Sequence, residues 1–363
     1  MTKNPFTPSF GSVPPFMAGR EQILKDIEGA FDNGPGDPNL STIFTGARGT
    51  GKTALLTYLS QAALAHGWIS ANVSSMPGML EDIIERSNEA ASDFVSHHQG
   101  ARLKGFSIGG VGLDWEYQDT EKGNWRSRMN SLFKQLEKFD IGLLITIDEV
   151  DVSNEEMLQL ASVYQHFVRE GRKTALLMAG LPYKVSALLR DDSVSFLRRS
   201  QQHQLGRIPD YEIADALLKT IEGGGRTITD DALEEAVASI DGFPFMMQLV
   251  GYRVWDAAGD EGIITKAAVD TGSKLARLEM RNRILETTYR ELSDGDLKFL
   301  DAMLDDQAES RISEVAKRMG VSSGYASQYK RRLLDQGVIG ERGRGIIAFD
   351  IPAFRDFLLE KRR

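Results

Sequence analysis

The chain has 363 residues, with 43 Lys and Arg against 52 Asp and Glu, and it contains no cysteine. That length is enough for two or three domains with a sizeable core. The absence of cysteine excludes disulfides, thiol nucleophiles and thiolate-bound zinc, and it fits a reducing compartment. The amino terminus lacks an apolar signal core and no run reaches the length of a membrane span, so a cytoplasmic protein with no membrane partner is expected. The net charge of −9 hides an asymmetry, because residues 311–345 carry eight Lys and Arg against three acids, a net +5. Residues 346–363 add +1, which leaves −15 for everything before residue 311. A basic segment on an acidic body points to one local anionic contact rather than to general polyanion binding.

Residues 1–15, rich in Pro, Ser and Gly, read as an extended arm. Phe16-Met17-Ala18-Gly19-Arg20-Glu21 leads into a helical pattern (Ile23, Leu24, Ile27, Ala30, Phe31), and a Gly- and Pro-rich loop follows at residues 34–39. Ser41-Thr42-Ile43-Phe44-Thr45 reads as a buried strand. Next comes Gly46-Ala47-Arg48-Gly49-Thr50-Gly51-Lys52-Thr53, which fits G-x-x-x-x-G-K-[ST], and then a helix to about Ala65. Strand, glycine-rich turn, helix is the context in which this motif binds phosphate. Successive amide N–H groups turn toward one anion and the helix adds its positive end. Lys52 is placed to reach the β- and γ-phosphates, and the Thr53 hydroxyl to ligate Mg²⁺. The cofactors read from this motif are ATP and Mg²⁺.

Residues 68–73 read as the next strand and Met79 to Val95 as a helix. Alternating apolar residues around Gly109-Gly110 predict a hairpin insertion at about 105–117. Trp125 to Phe139 is helical in pattern, and Ile141 to Ile147 then runs nearly all apolar into Asp148-Glu149. A continuous apolar strand suits a parallel sheet covered on both faces. Acids at its carboxyl end stand where open α/β sheets bind ligands. Asp148 is the expected Mg²⁺ holder and Glu149 the group that orients or deprotonates the attacking water. Glu155 to Arg169, the strand 174–179 and a helix over 183–189 continue the alternation. The first 206 residues thus read as a doubly wound parallel sheet of the P-loop NTPase kind.

From Asp210 the pattern is helical only, with helices expected at 210–221, 229–240 and 244–257, and a fourth from Thr265 that can run past Arg283. Residues 207–288 read as an all-α lid. Ser293-Asp294-Gly295-Asp296 caps a further helix, residues 312–319 and 323–334 form a helix-turn-helix pattern, and residues 338–349 form a hairpin with a basic tip. Residues 289–363 therefore read as a winged helix whose second turn helix would enter the major groove of double-stranded DNA. Ser323, Tyr325 and Gln328 interleave there with Lys330, Arg331 and Arg332, and Arg342 and Arg344 sit on the wing. The plainer reading of this face is a solvated basic surface on a domain that binds an unidentified protein partner.

Assembled in this order, the parts resemble AAA+ and STAND-type P-loop ATPases, particularly the branch near origin-recognition and archaeal-initiator ATPases. The resemblance implies that Phe16, Gly19 and Arg20 help to hold the base. It also implies that Gly242-Phe243-Pro244 contacts the nucleotide from the lid through Pro244. Arg198 or Arg199 falls where such ATPases carry an arginine finger for a neighbouring subunit, which implies self-association; an ordinary intramolecular ion pair is the plain alternative. Two departures stand out: Met178-Ala179 occupies the place of a polar sensor, and Phe245-Met246-Met247 the place of a second sensor arginine. Both point to an ATPase switch with slow turnover. The expected function is nucleotide-controlled DNA binding or oligomerisation. The alternative is a signalling or assembly switch, or a helper ATPase of a mobile element or defence system, whose winged helix binds protein.

Overall fold

The computed structural model describes residues 3–9, 11–102, 124–351 and 353–362, with backbone alone over 97–102. The hairpin expected at 105–117 lies outside the described residues. The first part contains α1 (Glu21–Asn33), β1 (Ser41–Thr45), α2 (Lys52–Ala65), β2 (Trp68–Ser74), α3 (Met79–Arg102), α4 (Trp125–Lys138) and β3 (Gly142–Asp148). It continues through α5 (Glu155–Arg169), β4 (Thr174–Gly180), α6 (Pro182–Arg190) and β5 (Gln201–Gln204). The strands form one parallel five-stranded sheet in the order β2-β3-β4-β1-β5.

The nearly all-apolar β3 is explained by cover on both faces; its polar Thr146 is buried and donates to Asn72 Oδ1 at 2.7 Å. Leu143, Ile145 and Ile147 pack with residues of α3, α4 and α5, while Leu144 between them packs with residues of α1 and α2. The period of two sends neighbours to opposite faces, so a strand buried on both sides is apolar at most positions and pairs any polar side chain it carries. β5 is the exception to this pattern. Gln201-Gln202-His203-Gln204 carries no apolar run, and its sequence reads as a connection, yet it pairs with β1 over Thr42–Thr45. It lies at the edge of the sheet, where polar side chains are tolerated because one flank faces solvent.

The lid contains α7 (Asp210–Gly223), β6 (Thr227–Ile228), α8 (Asp230–Ile240), α9 (Pro244–Ala257), β7 (Ile263–Ile264) and α10 (Lys266–Met280). β6 and β7 pair as a short parallel ladder that the sequence did not suggest. α10 runs on through a π-helical turn, Arg281–Leu285, into α11 (Glu286–Glu291), so the helix does pass Arg283. The amino-terminal arm is extended and lies on the lid. Asn4 Nδ2 donates to Tyr252 O at 3.1 Å, and Phe6 is buried against Gly251, where an added Cβ would stand 2.3 Å from the ring.

The last part contains α12 (Asp294–Met303), β8 (Glu309–Arg311), α13 (Ile312–Arg318), α14 (Ser323–Asp335), β9 (Ile339–Gly343), β10 (Ile346–Phe349) and α15 (Phe354–Lys361). α12 opens with a capping box between Ser293 and Asp296. β9 and β10 form the expected antiparallel hairpin, and β8 adds a third strand on the other side of β10. One apolar cluster runs from Phe6 through the lid to Leu358, so packing is continuous across residue 288. Among the described residues no helix is long and apolar enough to cross a membrane.

Candidate nucleotide site and basic surface

β1 delivers the chain into the loop 46–51, and α2 begins at Lys52. Gly49 and Gly51 take the left-handed conformation (φ 81° and 85°), which lets the loop turn tightly between β1 and α2. An added Cβ at Gly49 would stand 2.7 Å from the Phe243 ring, so the loop admits no side chain there. Lys52 Nζ donates to the carbonyls of Gly46 and Ala47, both at 2.8 Å. Burial lowers the Lys52 ammonium to about pKa 8; Asp148 opposes the shift and Arg48 adds to it. Thr50 is buried and its hydroxyl donates to Ala47 O at 2.9 Å.

At the end of β3, Asp148 Oδ2 accepts from Thr53 Oγ1 at 2.5 Å. This contact joins the two sequence-predicted Mg²⁺ ligands, 95 residues apart in sequence, at one point. Glu149 then turns the chain out of the strand in a left-handed conformation (φ 54°), unusual for a residue with a side chain, and it is exposed. The turn is pinned by Val150 N donating to Ala179 O at 2.9 Å. A cavity of about 550 Å³ opens beside Thr53 and Asp148, walled in part by Asn72, Ser74, Met76 and Arg86. The glycine-rich turn at a helix start, the part-buried lysine and the paired threonine and aspartate fit a nucleoside triphosphate with its Mg²⁺.

Of the residues expected to hold the base, Arg20 is buried. Its Nη1 donates to Gly19 O at 2.9 Å and its Nη2 to Gly206 O at 3.2 Å, and Glu212 faces it electrostatically while burial lowers its pKa. Arg20 thus ties the first helix to the start of the lid. Phe16 is 40% exposed. From the lid, Phe245 N donates to Gly49 O at 3.2 Å, and Pro244 Cβ stands 3.8 Å from where a Gly51 side chain would begin. Gly242-Phe243-Pro244 therefore does meet the P-loop.

Arg198 is held within its own chain, its Nε donating to Leu189 O at 2.7 Å and its Nη2 lying 3.4 Å from Asp192 Oδ1. Arg199 is exposed and has no ion pair among the described residues. The β4 tip, Met178-Ala179-Gly180, is fully buried and apolar. One cation beside the acidic turn is a residue the sequence did not single out. Lys184 pairs with Asp151 at 2.9 Å and also feels Glu149.

In the last part, Ser323, Tyr325, Gln328, Arg331 and Arg344 are exposed. Tyr325 and Tyr329 share a hydroxyl–hydroxyl hydrogen bond of 3.0 Å. Three of the cations expected to contact DNA are already paired. Lys330 bonds Glu341 at 2.6 Å, Arg342 bonds Asp350 at 2.6 Å, and Arg332 is paired with the fully buried Asp296. None of these pairings breaks a local rule, so no pattern within α14 announces them.

The five-stranded parallel core with its helical lid is the doubly wound P-loop NTPase fold. The chain is similar in structure to the Walker-type ATPase paby2304 of Pyrococcus abyssi, with a TM-score of 0.67 at 15% identity over 94% of this chain and 96% of that one. It is also similar to the ADP form of the Aeropyrum pernix ORC2 protein, with a TM-score of 0.54 at 14% identity over 98% and 97%. At that identity the likeness is one of fold. Residues 282–358 match a family described as a domain of unknown function, DUF8462. No curated protein is similar in sequence.

Proposed function

We propose that the protein is an Mg²⁺-dependent ATPase switch that binds double-stranded DNA through a winged helix, with nucleotide state controlling DNA binding or self-association. In this reading the ATPase core ends near residue 206, the lid spans 207–288 and the winged helix 289–363. The observation that carries it is the meeting of Lys52, Thr53 and Asp148 at the mouth of a parallel sheet, in one chain with an exposed helix bearing Ser323, Tyr325, Gln328 and Arg331. The ADP named for the ORC2 relative supports an adenine nucleotide.

Bound ATP with Mg²⁺ supplies a phosphoanhydride whose γ-phosphoryl group is transferred to water. Lys52 and the loop amides hold the phosphates, Thr53 and Asp148 hold the metal, and Glu149 takes the water's proton. Phe16, Gly19, Arg20 and Pro244 hold the base side. Arg199, free at the surface, is the better of the two arginines to serve a neighbouring copy, because Arg198 is engaged at the end of α6. The apolar β4 tip supports slow turnover.

A second reading is favoured by one observation. Lys330, Arg332 and Arg342 are spent on internal carboxylates, which suits a winged helix that binds protein. Titration of labelled duplex DNA at several salt concentrations, with ATP analogue, ADP or neither, separates the two. The DNA reading expects a steep salt slope that changes with nucleotide. No binding under any condition overturns it and leaves the protein-partner reading.

A further inference from the structure

Two parts of the chain converge on three P-loop residues, Ala47, Arg48 and Gly49. Arg48 Nη1 lies 2.6 Å from Glu291 Oε2, at the last residue of the rod that runs from α10 through the π turn to α11. Earlier on that rod, Ile284 stands 3.2 Å from where a Gly49 side chain would begin. From the turn between α14 and β9, Gly337 leans on Ala47 so closely that an added Cβ would stand 2.7 Å from Ala47 Cβ and 2.8 Å from its Cα. α14 also packs against α6, with Asp335 at its end in the field of Arg190.

Two of these residues, Ala47 and Arg48, also lie where the loop would meet a phosphate. Ala47 O accepts from Lys52 Nζ, from Thr50 Oγ1 at 2.9 Å and from Thr50 N at 3.4 Å. A phosphate that takes the Lys52 ammonium takes it from Ala47 O and Gly46 O, and so removes one of the bonds that hold the residue on which Gly337 rests. Arg48 meets the same competition, since a phosphate anion and the Glu291 carboxylate both attract its guanidinium. Both sides of the pair are about half exposed, so the bond with Glu291 is weak enough to exchange.

We propose that the seating of the carboxyl-terminal part on Ala47 and Arg48, through Gly337 and Glu291, is a latch that nucleotide phosphates loosen. This rests on the nucleotide-binding half of the proposed function and is independent of DNA. Because coupling between two sites is reciprocal, a change that loosens the latch tightens nucleotide binding. Release also uncovers the carboxyl end of α14 from α6.

The absence of cysteine allows a clean test. Lys25→Cys and Ser327→Cys, both at exposed positions, carry a donor and acceptor pair, and energy transfer is read while a non-hydrolysable ATP analogue with Mg²⁺ is added. Transfer is expected to change on binding. In the unlabelled chain, Glu291→Gln and Gly337→Ala are each expected to bind the analogue about fivefold tighter, the low end of measured couplings. Gly345→Ala is the control, because Gly345 is also left-handed (φ 74°) but its nearest neighbour would be Ile312 at an ordinary 3.6 Å. It should match the parent, so any effect of backbone strain alone is visible. Analogue binding with unchanged transfer, and with equal affinity in Glu291→Gln and Gly337→Ala, overturns the latch and leaves the ATP reading intact. No analogue binding at all overturns both.

Discussion

At the P-loop, Lys52 donates to two backbone carbonyls, whereas on α14 and the β9–β10 hairpin Lys330, Arg332 and Arg342 are each held by a carboxylate. The two arrangements answer an incoming phosphate differently. A carbonyl is a neutral dipole, and giving up its hydrogen bond costs about 1 kcal/mol or less once a stronger acceptor replaces it. A carboxylate is a full charge and competes with the phosphate on equal terms. Lys52 is therefore available to an anion, and the basic surface offers less than its net +5 suggests. Counting cations in a sequence measures neither property; their partners do.

The largest effects should come from breaking the phosphate side of this comparison. Glu149→Gln removes the proposed proton acceptor but leaves Lys52, Thr53 and Asp148 in place. Phosphate release is expected to fall by about 10²- to 10⁴-fold while affinity for an ATP analogue stays level. Lys52→Ala should instead weaken analogue binding by about 10- to 100-fold, the worth of a charge-assisted hydrogen bond. Parallel measurement of turnover and analogue titration separates them. Normal hydrolysis by Glu149→Gln would remove that residue from the role assigned to it.

A smaller effect sharpens the contrast through pH. Burial holds Lys52 at about 8, and a bound phosphate favours its charged form, so the bound lysine has the higher pKa. Binding then requires proton uptake once the pH passes 8, and affinity falls as pH rises. Between pH 7 and 9 the fall is about tenfold from this group alone. Calorimetry in buffers of different ionisation enthalpy should show the uptake at pH 9 and little at pH 7. Uptake that is equal at both pH values would mean that Lys52 does not meet the phosphates.

How far the sequence could be read follows from the range of each contact. The P-loop spans eight adjacent residues, and the apolar β3 ends on its acids without interruption, so spacing alone located both. Helix ends were legible where caps are local, as at Ser293 and Asp296. β5 was not, because an edge strand made of Gln, Gln, His and Gln leaves no apolar period to detect. The partners that decide what each cation can do were out of reach for a different reason. Arg48 and Glu291 are 243 residues apart, and Arg332 and Asp296 are 36 apart. No local periodicity encodes such pairs, which appear only when separate elements fold onto one another.

The last comparison sets two arginines of the basic surface against each other. Arg332 reaches Asp296, which is fully buried and takes Ser293 N at 3.0 Å and Ser293 Oγ at 2.7 Å on the same oxygen, Oδ2. Arg332→Ala leaves that carboxylate buried without its cation. The expected loss of stability is about 3 kcal/mol, toward the low end for such pairs because the guanidinium is half exposed. Arg344, at the hairpin tip, is exposed with no ion pair among the described residues. Arg344→Ala should leave the melting temperature within about 1 °C of the parent, as surface changes do. It should reduce the slope of log affinity for duplex DNA against log salt by about one. Thermal melts and salt titrations on both variants test the assignment together. If Arg344→Ala leaves the slope unchanged while Arg332→Ala lowers it at full stability, the roles are reversed, and the cation bound to Asp296 is the one that reads phosphate.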